Sequence, residues 1–300
     1  MQEIRSERFK AFKVECWRDF DDYDPLSPQC VFRGQGKASW GLQTAYERRR
    51  CAYDPMPEQG MLRRFIRQAS IYQSDLPQQD DYISWFSLMQ HYGAGTRLLD
   101  VTKSRYVALF FALVGMKESH FEEDGAVWVF KTYASNMNLY NALMTSESNP
   151  CIDTRDFPLA EALEEYKTLG GPFGNEFIRA DWRMEFYEKD SDDRVIKHRD
   201  RMRPFQEGGG VMHVIPAKSN KRMVAQAAEF LMPITLRKSF EDNLLLGARG
   251  QNDERCTPEV VKLVIPKDVC NEFLRKLQGM NITYQTVYPD ISGLAMSMNM

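Results

Sequence analysis

The sequence has almost none of the residue groupings that announce a common chemistry. Six cysteines stand at 16, 30, 51, 151, 256 and 270, with no CxxC pair among them. That spacing excludes a zinc ribbon or a dithiol redox motif and argues for reduced thiols, hence for the cytoplasm. There are four histidines, and His120, His198 and His213 have no partner at metal-ligand spacing, so no metal is expected. No Ser-His-Asp or Cys-His signature stands out. No GxGxxG or GxxxxGK[ST] run is present, so neither common phosphate loop is suggested. No stretch approaches 18 consecutive apolar residues, and MQEIRSERFK lacks the apolar core of a signal peptide, so no membrane contact is expected. The net charge is −3 with a pI near 5.9, which gives no whole-chain attraction to nucleic acid, though a local basic patch is compatible with it.

What is present reads as an ordinary globular chain: 43% hydrophobic and 27% charged residues over 300 positions. Residues 1–20 are expected to be helical, because Phe9, Phe12, Cys16 and Phe20 recur at spacings of three and four. VFRG (31–34) reads as a strand after a turn-rich stretch. Residues 43–75 read as arginine-rich helices broken near Pro55 and Pro57, and 81–92 as a helix. RLLDV (97–101) reads as a strand and 104–117 as a helix buried on most sides. GAVWVFK (125–131), 209–216, 229–236 and 260–266 are strand candidates, and DVCNEFLRKLQGM (268–280) closes the regular part as a helix. The stretch 132–205 reads as an insertion, helical over 158–168 and a charged loop over 186–203. Strands and helices mix without βαβ alternation, so the expected class is α+β: a mixed or antiparallel sheet with surrounding helices, in one domain.

Three segments depart from what packing alone selects. In VFRGQG, Arg33 ends an apolar strand between Gly34, Gln35 and Gly36. A guanidinium is a planar fork that fits phosphate oxygens, and glycines let a ligand approach the backbone. The competing reading is a strand-end arginine paired with a core carboxylate. In QHYGAGTRLLDVT (90–102), Gly93 and Gly95 turn the chain and present His91 and Tyr92, while Asp100 and Thr102 share one face of a strand. The competing reading is a helix cap by Thr102 or Ser104, with Asp100 paired to Arg97 or Arg105. In AQAAEFLMP (225–233), Glu229 opens an apolar strand three residues after Gln226; a carboxylate there is costly unless paired or used. The competing reading is a charge that guards a sheet edge. The basic runs ERRRC (47–51) and RRFIR (63–67) are solvated helix faces or a nucleic-acid contact strip.

Taken together, FRGQ with Trp40 and Leu42, QHYG..TRLLD.T…..ALFFA (Gln90–Ala112), Arg222 with Gln226 and Phe230, and YPDISGLA (288–295) resemble the FRG domain family. Gly95 stands where the family usually has proline, and Val101 where it usually has tryptophan. The smaller Val101 leads to the expectation of a roomier pocket.

A second resemblance carries chemistry. A strand ending Arg-Gly, a strand with a hydroxyl followed by an apolar helix, and a late Glu-Phe-Leu-Met-Pro strand are similar to the Arg–Ser–Glu plan of the mono-ADP-ribosyltransferases. The resemblance implies an ADP-ribosyltransferase-like fold with Arg33, Thr102 and Glu229 in the catalytic roles. It implies that Arg33, Gly34, Gln35, His91, Tyr92, Arg97, Asp100 and Gln226 hold NAD as co-substrate. The acceptor would be a macromolecule (RNA, DNA or protein), and the biological role a bacterial toxin or anti-phage effector held in check by a neutralising partner. The alternatives are a non-catalytic ligand- or nucleic-acid-binding module in which Arg33 and Asp100 form a buried ion pair, and a nuclease, which the shortage of clustered acidic and histidine ligands disfavours.

Overall fold

In the computed structural model, residues 1–4, 8–24, 30–52, 57–131, 210–246 and 260–298 are described. Gly125–Lys131 is apolar from Ala126 to Phe130, the pattern of a strand covered on both faces, and every residue but the last is buried. As β5 it lies inside an eight-stranded sheet. Its companions are β1 (Gln2–Ile4), β2 (Lys10–Lys13), β3 (Cys30–Gln35), β4 (Leu99–Thr102), β6 (Val211–Val214), β7 (Ala228–Pro233) and β8 (Val260–Ile265). The order across the sheet is β1-β2-β8-β5-β3-β4-β7-β6. The β2–β8 pair is parallel and the other pairs are antiparallel, so the sheet is mixed and the class is α+β.

The helix expected over 1–20 is absent. Its place is taken by β1, β2 and the short helix α1 (Trp17–Asp21). The three-and-four spacing of Phe9, Phe12, Cys16 and Phe20 spans two different elements. What selects a strand at 10–13 is a distant partner, since Lys10 aligns with Val261 and Lys13 with Val264. The insertion expected over 132–205 lies outside the described residues.

Among the described residues the remaining α-helices are α2 (Ala45–Ala52), α3 (Glu58–Tyr72), α4 (Tyr82–His91), α5 (Arg105–Glu118), α6 (Lys221–Ala225), α7 (Phe240–Leu246), α8 (Cys270–Gly279), α9 (Tyr284–Val287) and α10 (Ile291–Ser297). Asp81 caps α4 through Ser84 N–H, and Ser104 caps α5 through Val107 N–H. Among the described residues no helix is long and apolar enough to cross a membrane. Helix α5 packs on one face of the sheet in a core with Phe32, Val127, Val129, Leu263 and α8. On the other face Val31, Leu42, Trp128, Phe130 and Leu231 form a second core with α7. Helices α3 and α4 share a third with Met212, Phe230 and Met232.

The glycines of the opening strand serve this packing. A Cβ on Gly34 would stand 1.9 Å from the Ala108 carbonyl oxygen and 2.7 Å from the Ala112 nitrogen. A Cβ on Gly36 would stand 2.4 Å from the Gly115 carbonyl carbon. The space beside them is therefore filled by the backbone of α5, which corrects the expectation that it is kept open for a ligand. Because the obstacle is main chain, it cannot swing aside. Gly34→Ala is expected to cost at least the roughly 1–3 kcal/mol typical of overpacking. Urea unfolding checks this, and an unchanged midpoint would contradict so close a β3–α5 contact.

Candidate functional site

Strands β3 and β4 pair at one position, Phe32 with Thr102. Beyond it the ladder stops, and Arg33–Gln35 faces Leu99–Val101 across a split in the sheet. A cleft of about 1040 Å³ follows this split. Its walls come from the end of β3, the loop after it, the face of α4 carrying Ser87, Gln90 and His91, the Phe111–Ser119 side of α5, and α6. Of the positions expected to carry function, Arg33, Gly34, Gln35, His91, Asp100, Thr102 and Gln226 line it. Val101, the small residue in the tryptophan position, borders the cleft between them, while its side chain packs in the core with Val31 and Leu231.

Arg33 is the pivotal side chain. Its Nη1 donates to the Asp100 carbonyl at 2.8 Å, while its Nε is buried without a hydrogen-bond partner. Among the described residues it pairs with no carboxylate, so the buried Arg33–Asp100 ion pair of the binding-module alternative does not form; the Asp100 side chain is exposed. Burial pushes the Arg33 guanidinium below its ordinary range; nearby Asp100 opposes this and nearby Arg48 adds to it. A cation desolvated beside a second cation is a site that an arriving anion stabilises. Arg48 and Arg222 also line the cleft. Arg48 donates to the Gln43 carbonyl at 2.7 Å, and Arg222 lies 4.4 Å from the Tyr288 ring centre. Neither is among the residues expected at the site. Arg222 sits in the R…Q…F segment and Arg48 in ERRRC, so the residue types were visible and only their convergence was not.

Gln35 and Thr102 hold the walls. The Gln35 amide donates to the Gly41 carbonyl at 3.1 Å and accepts from Trp128 Nε1 at 2.6 Å. The Thr102 hydroxyl donates to the Gln226 carbonyl at 2.6 Å and accepts from Ser104 N–H at 3.0 Å. Ala227, at φ +46°, then turns the chain from α6 into β7. Gln226 is buried and donates to the Val287 carbonyl at 3.1 Å. His91 is held below its ordinary value, by burial first and by Arg222 second, with Asp290 opposing.

Three expected site residues lie elsewhere. Arg97 is fully buried and grips Glu58 with Nε at 3.0 and 2.8 Å and Nη2 at 2.5 Å, a core ion pair rather than a ligand contact. Arg105 donates to the Asp21 and Tyr23 carbonyls, so neither arginine takes Asp100. Tyr92 is exposed and donates to Gln73 at 3.1 Å, outside the cleft lining. Glu229 aligns with Val101 and so lies on the opposite face from Thr102 and Asp100. It is buried between His213 Nε2 at 2.6 Å and Lys103 Nζ at 2.7 Å and does not line the cleft. Burial works to raise its pKa, but His213 and Lys103 outweigh burial and hold the carboxyl below its ordinary value. The carboxylates lining the cleft are Asp100 and Glu118.

Arg33, Trp40, Arg48, His91, Asp100 and Thr102 all fall within one segment, residues 28–121, that holds β3, β4 and α2 to α5. No curated protein and no solved structure matches the chain. Residues 28–121, about a third of the chain, match the family model of the FRG domain, which supports the FRG family as the one this chain resembles.

Proposed function

We propose that the protein transfers ADP-ribose from NAD to a macromolecular acceptor, with the dinucleotide lying in the β3–β4 cleft. The observation that carries this reading is Arg33, a guanidinium with a buried, unpartnered Nε and no neutralising carboxylate among the described residues. An unmet buried N–H is expensive, and a pyrophosphate oxygen satisfies it while neutralising charge shared with Arg48. The cleft volume of about 1040 Å³ accommodates a dinucleotide, being at the upper end of the small-molecule range.

The bond that breaks joins ribose C1′ to the nicotinamide nitrogen. Its electron pair leaves with nicotinamide, which departs neutral, so no strong general acid is needed. Positive charge grows on the ribose, and a carboxylate beside it lowers the barrier. We assign that role to Asp100, the exposed cleft carboxylate on the strand next to Arg33, in place of Glu229. An acceptor oxygen or nitrogen then bonds to C1′, and its proton passes to Asp100 or to water. With water as acceptor the same chemistry is NAD hydrolysis. The exposed arginines Arg63, Arg64 and Arg67 on α3 favour a nucleic acid as acceptor. The resemblance to the mono-ADP-ribosyltransferases, not the FRG match, is what implies a toxin or anti-phage effector with a neutralising partner.

Nicotinamide release from NAD, measured with RNA, DNA or protein as acceptor, tests the reading. Wild type is expected to release nicotinamide with one of them. Asp100→Asn is expected to lose about 10²-fold or more, the scale of removing one transition-state contact. No release with any acceptor would contradict the proposal.

A further inference from the structure

The loop between β3 and α2 is fastened at nearly every residue. Lys37 pairs with Glu122, and Lys262 Nζ reaches the Ala38 carbonyl. Ala38 N–H donates to the Asp124 carbonyl at 2.6 Å. Ser39 gives Glu123 two hydrogen bonds, from its N–H at 3.1 Å and its hydroxyl at 2.8 Å. The Gly41 carbonyl accepts from Gln35, and Leu42 N–H donates to Glu241 at 2.8 Å. Within this fixed frame the Trp40 indole makes no ring contact among the described residues. It is 52% exposed and lines the cleft together with Arg33 and Arg48.

Packing does not account for that combination. The other described tryptophans are engaged: Trp85 and Trp128 are 2% exposed, and Trp17 stacks on Tyr106. An indole left half-exposed on a mobile loop would be an ordinary surface residue. One carried by a loop whose neighbours are all tied down is held ready for a partner, with its ordering cost already met by the fold. The partner sits in a cleft whose cations select an anion, so it is a planar ring attached to phosphate. From this juxtaposition we infer that Trp40 is a stacking platform for a heteroaromatic ring of the bound nucleotide, either adenine or nicotinamide. The naming of these two rings rests on the NAD reading above. The stacking role itself rests on the loop and the cleft. Trp40 thereby sets the ligand's position along the cleft, with the phosphates on Arg33 on one side and the ring on the indole on the other.

Titrations of NAD, AMP and nicotinamide mononucleotide into wild type, Trp40→Phe and Trp40→Ala, followed by calorimetry and tryptophan fluorescence, test this. Wild type is expected to bind NAD with quenching of indole emission. Trp40→Ala is expected to weaken binding about ten- to hundredfold, the range of one base–aromatic stack, while Trp40→Phe retains most of it. All three proteins are expected to melt together, because Trp40 is exposed and its loop is held through other groups. AMP and nicotinamide mononucleotide identify the ring: the one whose affinity depends on Trp40 carries it. Equal affinities for wild type and Trp40→Ala would overturn the inference, as would failure of all three nucleotides to bind wild type. Trp40-dependent binding without nicotinamide release would leave the platform standing and remove the transferase reading.

Discussion

Glu58→Gln is expected to destabilise the protein by about 3–5 kcal/mol, the usual cost of removing one partner from a buried ion pair. Both side chains of the Glu58–Arg97 pair have no exposure, and three N–H···O contacts join them. Glutamine keeps the shape of glutamate but removes the carboxylate charge that faces the buried Arg97 guanidinium, and that loss dominates. Glu58 also opens α3, where a negative charge is favoured by the unsatisfied N–H groups of the first turn. The pair ties α3 to the segment entering β4, and so holds the α4 wall of the cleft against the sheet. Replacing both residues together by apolar ones of similar size is expected to cost much less than either single change. Urea unfolding of the two single variants and the double variant measures the coupling. A loss under 1 kcal/mol for Glu58→Gln would contradict the buried pair.

Arg33→Ala is expected to weaken NAD binding about ten- to hundredfold while leaving the melting temperature close to that of wild type. The first figure follows from removing a charge-assisted contact worth roughly 1.5–3 kcal/mol. The second follows from the surroundings of Arg33, which gives the protein one hydrogen bond, to a main-chain carbonyl, and pays for it with a buried unpartnered Nε. A structural arginine paired with a core carboxylate would behave the other way round, losing stability first. Calorimetric titration beside a thermal melt separates the two. A clearly lowered melting temperature for Arg33→Ala with unchanged affinity would mark Arg33 as a packing residue.

The elements that could be read locally were those whose pattern is self-contained. GAVWVFK is a buried strand wherever it sits, and α5 follows from an apolar run behind a serine cap. The N-terminal strands could not be read that way, because Lys10–Lys13 is a strand through its alignment with Val261–Val264, some 250 residues away in the chain. The same limit applies to the site. Arg33 and Asp100 were legible because a charge at the end of an apolar strand is conspicuous. Arg48 is not, since nothing in the run of three arginines in α2 says which one turns toward a cleft, and Arg222 is not, since only the fold brings the short α6 beside β3. Glu229 shows how little separates a site residue from a neighbour. Strand faces alternate with each residue, so alignment with Val101 rather than Thr102 sends its carboxylate to His213 and away from the cleft. The glycines of VFRGQG do mark a close approach to the backbone, but the approaching group is α5.

The most direct test of the account is a crystal structure with NAD bound. Pyrophosphate oxygens are expected within hydrogen-bond distance of Arg33 Nε, with a ring of the dinucleotide against Trp40 and the nicotinamide ribose facing Asp100. NAD bound outside the β3–β4 cleft, or with Arg33 still turned only to the Asp100 carbonyl, would contradict it.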